Sequence, residues 1–434
     1  MNTDHDQSRL FFGWWTVMVT GIVSGLGVGF YFYGISALLK PISLEIGLNL
    51  AATSGAAGVG IMIGSLIAPL AGMIVDRFGP RWTIISSLVV IALGLVLMGF
   101  IHSVWAFYLV WGLLLGLGVS FGMTIAVDKA LTDWFVKKLG LAIGVKFAVM
   151  GLLNAATLPL VALSVTWLGW RMTCMAWAII MVMSIPLIWV FVKDKRPEHY
   201  GLRPDGDLVV RNPGEPGVST GGDRIPDSSC PDEEYSLKRV LRTRAYWILA
   251  SVLFLNMYIS SGFNIHCIPL LTETGIDPLI AGGMMGMMLF FTIPSRLVSG
   301  FFADFISVKR LNLMTILPFL FYLAGVLFFL LNPTTITTYI LLILYGLGHG
   351  MPTALIVVII SRFFGRKAFG SIFGSCFVFT APATLSAPIV TGWIFDVTHS
   401  YKFALLVFMV FSVLAMTLLF FLKAPNPKEY VIPQ

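Results

Sequence analysis

Apolar runs of about twenty residues, broken by short polar connections, recur along the whole 434-residue chain. They fall near 12–36, 50–75, 82–101, 104–132, 140–163, 171–192, 246–270, 279–303, 311–331, 337–361, 368–395 and 402–422. A run of about 20 apolar residues crosses a hydrocarbon core of about 30 Å as a helix. In lipid the backbone must satisfy its own polar groups, and these runs are too long and too continuously apolar for barrel strands. The pattern therefore predicts an all-α membrane protein with twelve transmembrane helices. The first run is expected to be a helix and not a leader: it is long, lacks a small-residue cleavage pattern, and follows MNTDHDQSR, with its single Arg.

The polar positions set the orientation. Lys and Arg gather in alternate connections, at Arg77 and Arg81, Lys137 and Lys138, 193–245, Lys309 and Arg310, Arg362, Arg366 and Lys367, and Lys423 and Lys428. The opposite set holds only Lys40, Arg171 and Lys402. By the positive-inside rule both termini and the 193–245 connection are cytoplasmic. That rule also accounts for the net charge of +7 without a nucleic-acid partner. The composition, 57% hydrophobic with 11% charged residues and a mean hydropathy of +0.90, agrees with a membrane class.

The segment 193–245 is the one long polar stretch, rich in Pro, Gly and Asp, and reads as a flexible linker. YSLKRVLRT at its end reads as a short amphipathic surface helix. Three units follow: an N-terminal six-helix bundle over 1–192, the linker, and a C-terminal six-helix bundle over 246–434. Cys174, Cys230, Cys267 and Cys376 lie far apart without C-x-x-C spacing, so they are expected to be packing residues, with neither a disulfide framework nor a metal site.

The two halves repeat. GMIVDRFGPR (72–81) is answered by GFFADFISVKR (300–310), GLG at 116–118 by GLG at 346–348, GLAIG at 140–144 by GSIFG at 370–374, and GWR at 169–171 by SYK at 400–402. An offset of about 230 residues is kept throughout, which predicts parallel structural repeats with a cavity between them.

The segment Gly72-x-x-x-Asp76-Arg77-x-Gly79-x-Arg81, echoed by Gly300, Asp304, Lys309 and Arg310, resembles the signature of the major facilitator superfamily of secondary transporters. The resemblance covers all twelve runs, and it implies the two-bundle fold, with these residues governing conformational switching. A carboxylate there can bond a helix end or a basic side chain across the bundle interface. FFGWWTV (11–17), DWFVKKLGLAIG (133–144), RFFGRKAFGSIFG (362–374) and TGWIFDVTHSYKFA (391–404) resemble the bacterial transporters of the monocarboxylate and oxalate/formate type. That resemblance implies small carboxylate substrates and a bacterial cytoplasmic membrane. Alternating access with proton symport is the leading expectation, and anion exchange or efflux of hydrophobic compounds are the alternatives. No cofactor is expected, the chain is expected to act as a monomer among membrane lipids, and no motif of an enzyme is present.

Within that resemblance Arg296, in LFFTIPSRLVSGFFAD, stands where the family carries a carboxylate-binding Arg on helix 8. A guanidinium cannot deprotonate and suits bidentate capture of a carboxylate, whereas a charge at bilayer depth is otherwise costly. Lys146 on helix 5 lies eight residues after Lys138 and reaches a similar depth, so it is either a second ligand or a coupling residue. Asp128 is a candidate proton carrier that pairs with Lys146, or else serves as scaffold; Lys129, adjacent, points about 100° away. His266 is either a proton carrier or a hydrogen-bonded packing residue, and His349 beside its glycines is expected to pack. Tyr31, Tyr33 and Asn264 are candidate donors to a carboxylate or else cavity wall. Two differences stand out: Thr292 and an aromatic near Tyr33 occupy places where animal monocarboxylate carriers have an acid and a Lys. Helix 11 also lacks the Lys of oxalate/formate exchangers.

Overall fold

The computed structural model describes residues 11–46, 50–200, 204–206, 235–307 and 310–425. Lys309, Cys230 and most of the linker lie outside the described residues, as does the side chain of Tyr33. Ten helices among the described residues are long and apolar enough to cross a membrane. One of them, Leu139–Phe191, holds two arms that meet at Gly169, and Leu50–Phe78 completes the twelve.

In chain order these are α1 (12–46), α2 (Leu50–Phe78), α3 (Pro80–Met98), α4 (Val104–Trp134), α5 (139–168), α6 (170–191), α7 (Arg244–Glu273), α8 (Pro278–Phe305), α9 (Leu311–Leu331), α10 (Thr335–Phe364), α11 (Phe369–Thr398) and α12 (Lys402–Phe420). Gly169 has φ 75° and Gly79 φ 87°, conformations that L side chains rarely adopt, so glycine is what permits the sharp α5–α6 and α2–α3 reversals. The Gly79 of the signature is thus a turn residue.

Two departures from the sequence pattern have clear causes. Helix α1 runs on to Ile46, ten residues past the expected end, and widens into a π-helical segment at Phe30–Gly34; α4 contains two more, Tyr108–Leu115 and Phe121–Ala126. Tyr31 and Trp111, on the first two of these segments, stack at 5.6 Å between ring centroids, so the widened stretches of α1 and α4 meet through aromatic packing. The start of the linker, expected to be flexible, is folded over 193–200 and 204–206. Pro197–Tyr200 forms a 3-10 turn, and Asp205, at φ 63°, accepts from the amides of Val136, Lys137 and Lys138 at 3.1, 2.8 and 2.9 Å.

Helix α1 packs along α5 through Gly21, Gly25 and Gly29, whose missing side chains let Val149, Leu153, Asn154 and Thr157 approach the backbone. In the second half α7 packs on α11 and α12, while α10 packs on α8 and α9. The first and last six helices meet along two seams, α2 with α11 and α5 with α8. Large apolar side chains such as Trp167, Phe305 and Phe420 stand on the outside, where a bilayer would receive them.

Candidate functional site

Both seams close tightly at the end that carries the Gly-x-x-x-Asp segments. Gly72 lies against the backbone of Gly370, and Gly140 against that of Gly300, so a Cβ at any of the four would overlap or crowd the opposing chain. This contact places each acid at the start of a helix in the other half. Asp304 accepts from the Gly140 and Leu141 amides at 2.7 and 2.8 Å. Asp76 accepts from the Gly370 and Ser371 amides at 3.1 and 2.8 Å and from the Ser371 hydroxyl at 2.6 Å. The first amides of any helix lack intrahelical partners, and Lys138 and Ala368, which precede α5 and α11, provide no side-chain cap. Each cap therefore comes from across the interface, where it also meets the positive end of a helix dipole.

Side chains reinforce the closure. Arg362 approaches Asp304 at 3.6 Å and donates to the Ala303 and Ile306 carbonyls at 2.9 and 3.0 Å. Lys129 pairs with Asp133 at 3.0 Å, approaches Asp76 at 3.9 Å, and donates to the Arg366 carbonyl. Arg366 donates in turn to the Asp133 carbonyl and to Glu198 of the linker, both at 3.1 Å. The remaining signature residues sit elsewhere. Arg77 is exposed beside the Phe78 ring, and Arg310 is exposed at the head of α9. Arg81 stays within its own half, donating to the Val192 and Trp189 carbonyls at 2.7 and 2.5 Å. It also lies 3.9 Å from Asp194, whose carboxyl burial pushes up while Arg81 pulls it back.

Arg296 is counted eight residues before Asp304, roughly 12 Å along α8 at ~1.5 Å per residue. Its backbone is where the α5–α8 seam starts to loosen. A Cβ at Gly144 would still crowd the Arg296 carbonyl at 3.0 Å, whereas at Gly151 the neighbour is the Ile293 side chain at 3.3 Å. Beside that point Lys146 and Asp128 form an ion pair at 2.8 Å, each 1% exposed. The other Asp128 oxygen, Oδ2, is buried without a hydrogen-bond partner among the described residues. Phe147 lies between the halves, with the Lys146 ammonium 3.7 Å and the Arg296 guanidinium carbon 5.3 Å from its ring centre. Lys129 faces the closed end instead, so the adjacent Asp128 and Lys129 divide between site and closure as their 100° separation requires.

The other candidates are spread out. Tyr31 is packed on Trp111, and its buried hydroxyl lies where a Cβ on Gly60 would overlap it; the hydroxyl has no partner among the described residues. Asn264 likewise has a buried, unpartnered Oδ1. His266 is not brought to Asp128 and Lys146. Its Nε2 donates to the Pro388 carbonyl at 2.9 Å, which leaves Nδ1 to accept from the Tyr401 hydroxyl at 3.1 Å, and both partners belong to the second half. His349 stacks on Tyr345, bonds Ser260 at 3.2 Å, and lies close enough to Arg296 to feel its charge. Phe147, Asn154 (with its unpartnered Oδ1), Asp205 and the capped amides at 140–141 and 370–371 were not singled out from the sequence. The repeated GLAIG and GSIFG segments were the available signal for the last of these.

The fold and the paired signature define a membrane transporter of two repeated halves. A family model of the Major Facilitator Superfamily matches residues 28–381, and the chain belongs to that family. Among its relatives, monocarboxylate transporter 4 of Rattus norvegicus is 22% identical over 90% of this chain and 79% of its own length. The oxalate:formate antiporter of Oxalobacter formigenes is 27% identical over 57% of this chain and 52% of its own. The human organic anion transporter MFSD10 superposes with a TM-score of 0.67 at 15% identity, over 95% of this chain and all of that one. The proton:xylose symporter XylE superposes equally, at 12% identity over 94% and 96% of the two chains. Membership of that family makes the chain a multi-pass transporter and not an enzyme.

Proposed function

We propose that this transporter carries small organic anions with one carboxylate, by alternating access coupled to proton symport. One observation carries the reading: Arg296 and Lys146, cations from opposite halves, approach the same Phe147 ring at mid-depth, with Asp128 paired to Lys146. The Arg296, Lys146 and Asp128 cluster has one net positive charge, which a single carboxylate balances. Arg296 is the anchor. A proton arriving at Asp128 would remove the charge that offsets Lys146 and strengthen the site's attraction for the anion at Arg296, and this ties the two cargoes together.

The charge distribution supports an orientation with both termini and the closed end in the cytoplasm of a bacterial cell. At the far end of α8, Cβ atoms on Gly282, Gly283 and Gly286 would meet no neighbour within 4 Å among the described residues, which supports an outward-facing state. Opening the other way requires Asp76 and Asp304 to leave their caps, so the acids serve as latches while the halves, 1–192 and 246–434, rock about the site. The pathway lies within one chain, so a monomer suffices. Exchange of two anions is the second reading, favoured by the likeness to an oxalate:formate antiporter.

Uptake into proteoliposomes distinguishes them. Symport predicts accumulation of a labelled monocarboxylate under an inward proton gradient. Accumulation only after preloading with internal anion would establish exchange and refute symport. A carrier that moves apolar cations and ignores carboxylates would overturn the substrate class.

A further inference from the structure

Lys146 is almost wholly enclosed, at 1% exposed, although it lies beside a site that must admit an anion. Asp128 covers one side of its ammonium and the Phe147 ring another, 3.7 Å from ring centre to nitrogen. Arg296 and Phe147 are themselves only half-buried. The guanidinium and the ring are thus the partly accessible groups, and the ammonium packed against the ring is the enclosed one. The face of an aromatic ring carries partial negative charge and holds a cation without forming a full ion pair. Phe147 therefore satisfies both cations in part, and it screens the inner one.

We propose that Phe147 is a specificity-determining residue that makes the site select monocarboxylates over dicarboxylates, an inference that rests on Arg296 being the carboxylate anchor. With the ring in place one carboxylate reaches Arg296, and a second on the same small molecule meets an apolar ring where it needs a cation. Charge acts in the same direction, because Asp128 cancels the attraction that Lys146 would offer. A dianion is therefore left with one unpaired, desolvated carboxylate, an arrangement that costs more than the pairing of the other returns. Removing the ring exposes Lys146, and removing the Asp128 charge as well releases it.

Lactate and malonate test this, since both have three carbons and differ by one carboxylate. Their affinities for the purified full-length protein are measured by calorimetry for wild type, Phe147→Ala, Phe147→Val and Phe147→Ala/Asp128→Asn, each checked for a monodisperse size-exclusion peak. Wild type is expected to favour lactate. The lactate-to-malonate affinity ratio should fall about threefold in Phe147→Ala and by about tenfold or more in the double variant. Phe147→Val should lie between wild type and Phe147→Ala, and it replaces Phe147→Ala if the smaller side chain compromises folding. A ratio unchanged in the single and double variants overturns the proposal, as does a wild type that binds malonate as tightly as lactate. Arg296→Gln separates the two levels of inference. Lactate affinity retained in Arg296→Gln, or no binding of either acid to wild type, refutes the carboxylate site itself. Loss of lactate binding in Arg296→Gln together with an unmoved ratio refutes only the role of Phe147.

Discussion

Replacing Asp304 by Ala removes a helix cap that the second half supplies to the first, and the cost is paid in one conformation only. In the closed state the carboxylate takes the Gly140 and Leu141 amides at 2.7 and 2.8 Å, and its side chain is 7% exposed. When the seam opens those amides meet water, while Asp304 can keep Arg362, which lies in its own half at 3.6 Å. The differential is thus that of an N-cap exchanged for solvent, about 1–2 kcal/mol. At ~1.4 kcal/mol per decade the ratio of closed to open molecules should fall about tenfold. The Asp76 cap on α11 is a separate contact, so Asp76→Ala combined with Asp304→Ala should lower the ratio by about a hundredfold if the two add. Spin labels on Arg77→Cys and Arg310→Cys, both exposed at the closed end, report the separation by pulsed dipolar spectroscopy once the native cysteines are replaced. A longer-distance population should appear in Asp304→Ala and dominate in the double variant, with flux depressed far more than affinity. Distance distributions and flux identical to wild type would refute the latch.

Three further outcomes follow from the same contacts. The Asp128–Lys146 pair is buried, so Asp128→Ala should lose about 3–5 kcal/mol of stability, while Asp128→Ala combined with Lys146→Met should recover most of it; equal losses in single and double variants, measured by equilibrium unfolding in mixed micelles, would mean the pair is solvated. Arg296→Gln should abolish carboxylate binding, a loss of ~2 kcal/mol or more, and Arg296→Lys should weaken it without affecting assembly, as read by calorimetry and size-exclusion profile. Asp205→Ala frees three amides at the head of α5 and should lower melting temperature while leaving carboxylate affinity unchanged; an affinity loss would place the linker in the binding step.

Much of the fold was legible because it follows from local chemistry in a uniform solvent. A run such as LNLMTILPFLFYLAGVLFFLL has one low-energy form in lipid, a helix, and the Lys and Arg counts on alternate connections orient it. The repeat at constant offset implied two like halves, and the isolated charges Arg296, Lys146 and Asp128 declared themselves by their cost. Partner choice was not local. Asp304 reads as one acid of a repeated motif, and only the Gly140–Gly300 contact shows that its partners are backbone amides 164 and 163 residues away, which no side-chain pattern encodes. Along the chain His266 stayed open between a proton carrier and a packing residue, while the glycines around His349 pointed to packing. The tertiary structure encloses the first between Pro388 and Tyr401 and sets the second against Tyr345 and Ser260, partners that no local pattern names. Phe147 escaped notice as one of 34 phenylalanines, since an aromatic acquires a charge-screening role only when two helices from different halves bring cations to its face.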